Sequence, residues 1–397
     1  MYSLLLVIIY LAFISLGLPD SLLGSGWPVI HGELGVPLSY AGIISMIIAG
    51  GTIVSSLLSD RLTRRLKAGL VTAISVFMTA AALWGFSVSN SFVHLCLWAV
   101  PYGLGAGAVD AALNNYVALH YAARHMSWLH CFWGVGVSIS PYIMGSALTR
   151  GLSWQHGYWT VSLIQFALTA VLFASLPLWK KRDGHPENGP VRAAELSLRD
   201  AFNIRGVKYI LIAFLGYCAF ETTAGLWASS YLVEFRGVDP ETAARFASLF
   251  YLGITFGRFV NGFIAEKAGD RSLIRWGIVI TMVGAGLAAI PLGTNVPALV
   301  GLVIAGLGCA PIYPSIIHST PANFGPENSQ AVIGIQMASA YVGSTFMPPL
   351  FGFIAHNLSI GLYPWYLGIF SVLMLIMTEA LNKIVNSKPT SGLRLSS

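Results

Sequence analysis

Three carboxylates, Asp20, Asp110 and Glu221, stand inside long apolar stretches of a 397-residue chain. Most other charges fall in short polar breaks between such stretches. An ionised side chain at the middle of a bilayer costs about 2.5–3.5 kcal/mol on insertion scales, so such residues face a bundle interior or an aqueous crevice. Their chemistry is that of proton carriers and polar-solute ligands. A carboxyl group moved from water into a low-dielectric crevice favours its neutral form. It can take a proton where the crevice meets acid and release it where the crevice rewets. A solute that binds only the protonated form links the two loads. A membrane potential adds about 2.3 kcal/mol per charge per 100 mV. The three acids therefore predict a path for substrate and protons.

The elements that must position them are helices in a membrane. The chain is 55% hydrophobic and 10% charged, whereas soluble domains carry about 25% charged residues. About 20 consecutive apolar residues span a bilayer as helix, and the alternation a transmembrane barrel needs is missing. An all-α membrane protein follows, with spans expected at 3–30, 37–57, 69–88, 92–119, 128–148, 157–179, 207–233, 242–264, 273–291, 297–318, 329–354 and 360–381. The first opens almost at Met1 with no basic region or cleavage site before it, so it reads as an uncleaved helix.

Of the 22 Lys and Arg, only Arg150, Arg236 and Arg245 fall in outer loops and Arg258 within a helix, once the N-terminus is placed inside. The rest lie in inner segments, so both termini are expected in the cytoplasm of a multi-pass cell-membrane protein. The net charge of +6 is then a topology signal, and no nucleic-acid partner is expected. Cys96, Cys131, Cys218 and Cys309 fall inside spans without metal-ligand spacing and read as small apolar residues. No metal or cofactor is expected. Trp27, Trp154, Trp159, Trp179 and Trp365, near span ends, read as interface anchors.

The chain repeats itself. Gly51, Asp60 and Arg61 correspond to Gly257, Glu266 and Lys267 at an offset of 206 residues. Gly103-Leu104-Gly105 recurs as Gly306-Leu307-Gly308, 203 residues on. Gly136, Pro141 and Gly145 recur as Gly343, Pro348 and Gly352, 207 residues on. Parallel repeats of this size imply two six-helix bundles, over 1–179 and 207–397, with a substrate site between them near the bilayer midplane. Residues 180–206 form a cytoplasmic linker with a short surface helix expected near Ala193–Phe202.

The segment Ser59-Asp60-Arg61-Leu62-Thr63-Arg64-Arg65 resembles the signature loop of the major facilitator superfamily, with Thr63 where a Gly is usual. The second copy, Glu266-Lys267-Ala268-Gly269-Asp270-Arg271, keeps that Gly. The resemblance implies a gate at Asp60, Arg61, Arg64, Arg65, Glu266, Lys267 and Arg271, which latches the bundles through charge pairs and a helix end. The alternative is a plain basic inner loop.

The run Gly103 to Val117 is similar to the fourth helix of the fucose permease group of sugar:proton symporters. Asp110 falls on the acidic position that carries the proton in that group. Leu18-Pro19-Asp20 resembles the group's first-helix acid, which contacts sugar, and Trp128-Leu129-His130-Cys131-Phe132-Trp133-Gly134 resembles its His-aromatic-Gly pattern. The resemblance implies proton-driven uptake of a sugar or similar polar solute by alternating access, in a protein that works as one chain.

Asp110, with Asp20, is the expected proton site. Asp20, Asn114, Asn115, His130, Trp133, Glu221, Trp227 and Gln336 are the expected substrate ligands, because planar polar groups and aromatic faces suit sugars. His130, Asn114, Asn115 and Gln336 serve equally well as interhelix hydrogen-bonding groups, and Glu379 reads as a solvated helix end. A proton-coupled exporter of drugs or metabolites, a lipid or glycolipid flippase and a substrate-sensing receptor stay open as alternatives. ATP-driven and enzymatic readings lack a Gly-x4-Gly-Lys-Ser/Thr loop or a placed nucleophile and base.

Overall fold

The computed structural model describes residues 2–37, 40–183, 197–291 and 294–386. Those residues form helices without a β-strand. In chain order they are α1 (Tyr2–Gly17), α2 (Leu22–Glu33), α3 (Ala41–Ser87), α4 (Phe92–His120), α5 (Ala123–Thr149), α6 (Trp154–Asp183), α7 (Leu198–Asn203), α8 (Val207–Ser230), α9 (Pro240–Ala268), α10 (Asp270–Ala289), α11 (Val296–His318), α12 (Thr320–Phe324), α13 (Ser329–Asn357) and α14 (Tyr363–Asn386). A π turn over Tyr231–Phe235 extends α8.

Among the described residues, ten segments are long and apolar enough to cross a membrane. Their outer surface is apolar, with Leu97, Phe263, Phe353 and Ile369 more than 60% exposed. Exposed apolar surface on that scale marks a lipid-facing shell. The protein is a multi-pass membrane protein.

Three sequence expectations are corrected at the element level. The first span, expected as one helix over 3–30, breaks between α1 and α2. Pro19 has no N–H, so the carbonyl of Ser15 loses its helical donor and accepts a bond from the Gln165 amide instead. The second and third spans are arms of one 47-residue helix, kinked at Lys67 (φ 69°, ψ 154°). Thr63 and the basic residues around it are therefore helical, and the turn lies four residues later than the motif suggested. Its counterpart is Gly269, at φ 74° and ψ 150°. Trp27, Trp154 and Trp179 are buried, and the Trp154 indole donates to Glu33 Oε2 at 2.7 Å. Only Trp159 and Trp365 keep the exposure an interface anchor requires. The centre of the expected linker, 184–196, and the tail from 387 lie outside the described residues. Within the rest of that linker, α7 begins at Leu198, capped by Ser197 Oγ, which accepts from the Asp200 N–H.

The sequence repeat reappears as packing. A Cβ on Gly103 would stand 2.2 Å from the Ile48 carbonyl oxygen of α3, and one on Gly306 would stand 2.2 Å from that of Phe250 in α9. On Gly136 it would meet the Ile14 carbonyl of α1 at 2.1 Å, and on Gly343 that of Leu215 in α8 at 2.5 Å. Equivalent glycines thus seat α4 and α5 in one half as they seat α11 and α13 in the other. Small residues at these contacts let helix backbones touch. The result is two helical bundles related by a pseudo-two-fold axis. The second arm of α3, with α6, α10 and α14, stands behind the helices that face the other half.

Candidate functional site

Between the bundles lies a cavity of about 630 Å³, lined from α1, α2, α3, α4 and α5 in one half and from α8, α9, α11 and α13 in the other. Asp20, Asp110, His130, Trp133, Glu221 and Arg258 all line it. The cavity runs from Asp110 toward the end of the molecule that carries Gly24, Ala41 and Ser45.

The α1–α2 break sets Asp20 on the wall. Ser21 Oγ fixes the break to α5, donating to the Val137 carbonyl at 2.7 Å and lying 2.7 Å from Ser140 Oγ. The close approach of α1 to α5 brings Trp133 beside Asp20. The Trp133 indole donates to Asp20 Oδ2 at 2.9 Å, and the Tyr102 hydroxyl donates to Oδ1 at 3.1 Å. Asp20 remains exposed to the cavity. One aromatic side chain and one carboxylate acceptor therefore meet at the same point of the wall.

Asp110 is 4% exposed. The Asn114 amide, one turn along α4, donates to its Oδ1 at 2.8 Å. The Tyr341 hydroxyl of α13 donates to Oδ2 at 2.9 Å. The Asn114 carbonyl faces His130 Nε2 at 3.1 Å, and the His130 ring meets Tyr313 of α11 edge-on at 4.4 Å between centroids. Asp110 thus hangs between the halves, with both oxygens occupied by donors. A proton added to Oδ2 would make that oxygen a donor as well and weaken it as the acceptor of the Tyr341 hydroxyl.

On the opposite wall, Glu221 stands 3.5 Å from Arg258 Nη2, with the side chains 15% and 3% exposed. The Arg258 guanidinium also lies 5.9 Å from the Trp133 ring and 6.0 Å from Tyr313. Sequence reasoning noted Arg258 only as a charge within a helix and left Tyr102, Tyr313 and Tyr341 unmentioned. The signal for Arg258 was available, since an arginine in an apolar span needs the same explanation as an acid there. The tyrosines gave none.

Four expected ligands do not line the cavity. Trp227 donates to the Pro348 carbonyl at 3.0 Å and packs against Phe351, so it joins α8 to α13. Gln336 is buried, accepting from Thr320 Oγ1 at 3.1 Å. Asn114 lies behind Asp110. Asn115 accepts from Ser329 Oγ at 2.6 Å, across the halves and beyond the cavity floor.

That contact belongs to the seal. At the end carrying Asp60 and Glu266, the Asn261 amide donates to Ser127 Oγ at 2.7 Å and Arg124 pairs with Glu266 at 3.1 Å. Gly334 packs on the Ser56 carbonyl, where a Cβ would stand 2.5 Å away. The expected latch residues divide. Asp60 pairs with Arg64 of its own helix at 2.9 Å, and Arg61, Arg65 and Lys267 are exposed. Arg271 donates to Asn386 within its own half. Of the expected gating residues, Glu266 makes an ion pair across the halves, with Arg124. Glu379, expected to be a solvated terminus, holds Arg275 through two bonds of 2.7 Å. Among the described residues no cluster of three metal-ligating side chains occurs.

The profile of the Major Facilitator Superfamily matches residues 9–247 and 210–391. The probable nitrate/nitrite antiporter NarK1 of Thermus thermophilus is 24% identical over 379 residues, covering 84% of this chain and 82% of its own. The cis,cis-muconate transport protein of Acinetobacter baylyi is 24% identical over 370 residues, covering 89% and 87%. The fold is similar to that of the E. coli fucose:proton symporter FucP in the outward conformation, with a TM-score of 0.75 at 15% identity over 95% of this chain and 98% of that one. With both halves matched and twin bundles around one cavity, the chain belongs to the major facilitator superfamily and is a secondary transporter.

Proposed function

We propose that the protein takes up a sugar, or a similar uncharged polyol, together with a proton, by alternating access across the cell membrane. The observation that carries this reading is the pair of carboxylates on one cavity wall with different surroundings. Asp20 is exposed to the cavity beside an aromatic plane. Asp110 is buried and tied to the other half by Tyr341. The first suits a solute ligand, and the second suits a proton site whose loading changes a bond between the halves.

Charge favours an uncharged solute. Asp20, Asp110 and Glu221 face the cavity against the one cation Arg258, so an anion would meet net repulsion unless protons came first. Two relatives are named for nitrate/nitrite and muconate, both anions. The similarity to a fucose:proton symporter points the other way, and the balance of charge agrees with it. The twelve crossings expected from sequence arise if the arms of α3 count separately and α13 is added. With the positive-inside bias, the sealed Asp60–Glu266 end is cytoplasmic and the cavity opens outward. Each chain has its own complete cavity, which fits action as a monomer.

The test is uptake of radiolabelled monosaccharides into proteoliposomes. An inward proton gradient should drive transient accumulation of at least one sugar above equilibrium, and collapsing the gradient should abolish it. If every sugar merely equilibrates with or without the gradient, the coupling is wrong.

A further inference from the structure

Arg258 is a buried cation with too few partners. The cavity wall holds it at 3% exposure, yet its Nε makes no hydrogen bond among the described residues. Its Nη2 makes two long bonds, 3.4 Å to the Tyr217 hydroxyl and 3.5 Å to Glu221 Oε1. Charge-assisted N–H···O bonds normally run about 2.7–2.9 Å. An arginine carries five donors in a rigid planar fork and cannot shed its proton. A buried donor left unmade costs about 1–3 kcal/mol, and more when charged. Packing alone does not justify an arginine here.

The surroundings show what would satisfy it. Trp133 of the first half and Tyr313 of the second flank the guanidinium at 5.9 and 6.0 Å. Trp133 is also the residue that donates to Asp20. A solute lying against Trp133 would therefore have Asp20 on one side and the donor fork of Arg258 on the other. Two adjacent oxygens match that fork, and two adjacent donors do not. Glu221 neutralises the cation, so the pair as a whole presents no net charge to the solute.

We propose that Arg258 is a substrate ligand that binds a vicinal pair of hydroxyl oxygens on the transported sugar, with Glu221 as its counter-ion and second contact. The proposal rests on the sugar reading above and narrows it. The solute must carry adjacent hydroxyls that can accept together, and removing either should weaken binding. The site then spans the halves, with Asp20 and Trp133 on one bundle and Arg258 on the other. Closure around a sugar is rewarded only when both walls are engaged.

The test is calorimetric binding to the purified protein in detergent, with aldohexoses, their singly deoxygenated analogues and the matching uronates. The wild-type protein should bind at least one aldohexose and lose about tenfold or more in affinity when one particular hydroxyl is removed. Arg258→Lys keeps the charge but not the fork, and should lose about tenfold for the parent sugar while ceasing to discriminate against that deoxy analogue. The double variant Arg258→Gln with Glu221→Gln leaves no stranded charge and should behave alike, with an unchanged melting temperature as its check of folding. If both variants still bind and still discriminate as the wild type does, the assignment is wrong while the sugar reading stands. If the wild-type protein binds no aldohexose at all, the sugar reading falls and the assignment with it. Tighter binding of a uronate than of its parent sugar would also overturn it, by making Arg258 a carboxylate site.

Discussion

At the scale of single residues, the acids were legible because a carboxylate in an apolar run has few uses. Asp20, Asp110 and Glu221 reach one cavity. Amides and aromatics carried no such signal. Trp133 and Trp227 have the same side chain and a similar apolar context, yet one donates into the cavity and the other to the Pro348 backbone. Which way an indole faces depends on the rotation of its helix, and the nearly all-apolar helices of a membrane protein conceal that rotation. Asp20→Asn keeps the shape but sets an amide donor against either Trp133 or Tyr102 in place of one carboxylate oxygen. Sugar affinity measured by calorimetry should fall about tenfold, in line with loss of a charge-assisted bond of about 1.5–3 kcal/mol. Unchanged affinity would remove Asp20 from the site.

At the scale of elements, helices and approximate spans were readable from hydropathy, and their breaks were not. Pro19 marked the first break, but a Pro in a span does not say whether the helix kinks or stops. Pro101, Pro141, Pro177, Pro348 and Pro349 lie inside α4, α5, α6 and α13 without ending those helices. The kink at Lys67 had no sequence mark, because the glycine that serves the equivalent turn stands only in the second copy, at Gly269. A lysine at φ 69° and ψ 154° occupies a region that suits glycine almost alone, at a cost of about 1–3 kcal/mol. Lys67→Gly should relieve it. Glycine's greater freedom in the unfolded chain returns roughly 0.5–1 kcal/mol of that gain, so a net rise in stability of about 1 kcal/mol is expected. Thermal unfolding in detergent measures it, and a lower melting temperature would show that the kink is not strained.

At the scale of the whole molecule, the two halves were legible because the same glycines recur about half a chain apart. The packing explains why: each pair serves an equivalent backbone contact, at Gly103 and Gly306 and at Gly136 and Gly343. The conformational state was not legible, since alternating access uses one sequence for two arrangements of small free-energy difference. Here the seal at the Asp60–Glu266 end depends on close contact between α13 and α3. Gly334→Val would force that contact apart, because the Ser56 carbonyl stands 2.5 Å from where a Cβ would lie. The variant should favour the opposite state. A cysteine at Ser45, on the open side of the cavity, should then react several-fold more slowly with an impermeant maleimide applied from outside. Equal labelling rates would mean that this contact does not hold the seal.

The proposed coupling would turn on the bond from Tyr341 of one half to Asp110 of the other, which a proton on Asp110 would weaken. The most direct measurement compares wild-type protein with Asp110→Asn in proteoliposomes, following both accumulation of radiolabelled sugar under an inward proton gradient and exchange of labelled for unlabelled sugar without one. The account predicts that Asp110→Asn keeps exchange within a few-fold of wild type and loses accumulation above equilibrium. A variant that still concentrates sugar as the wild type does would place the coupled proton elsewhere and contradict the account.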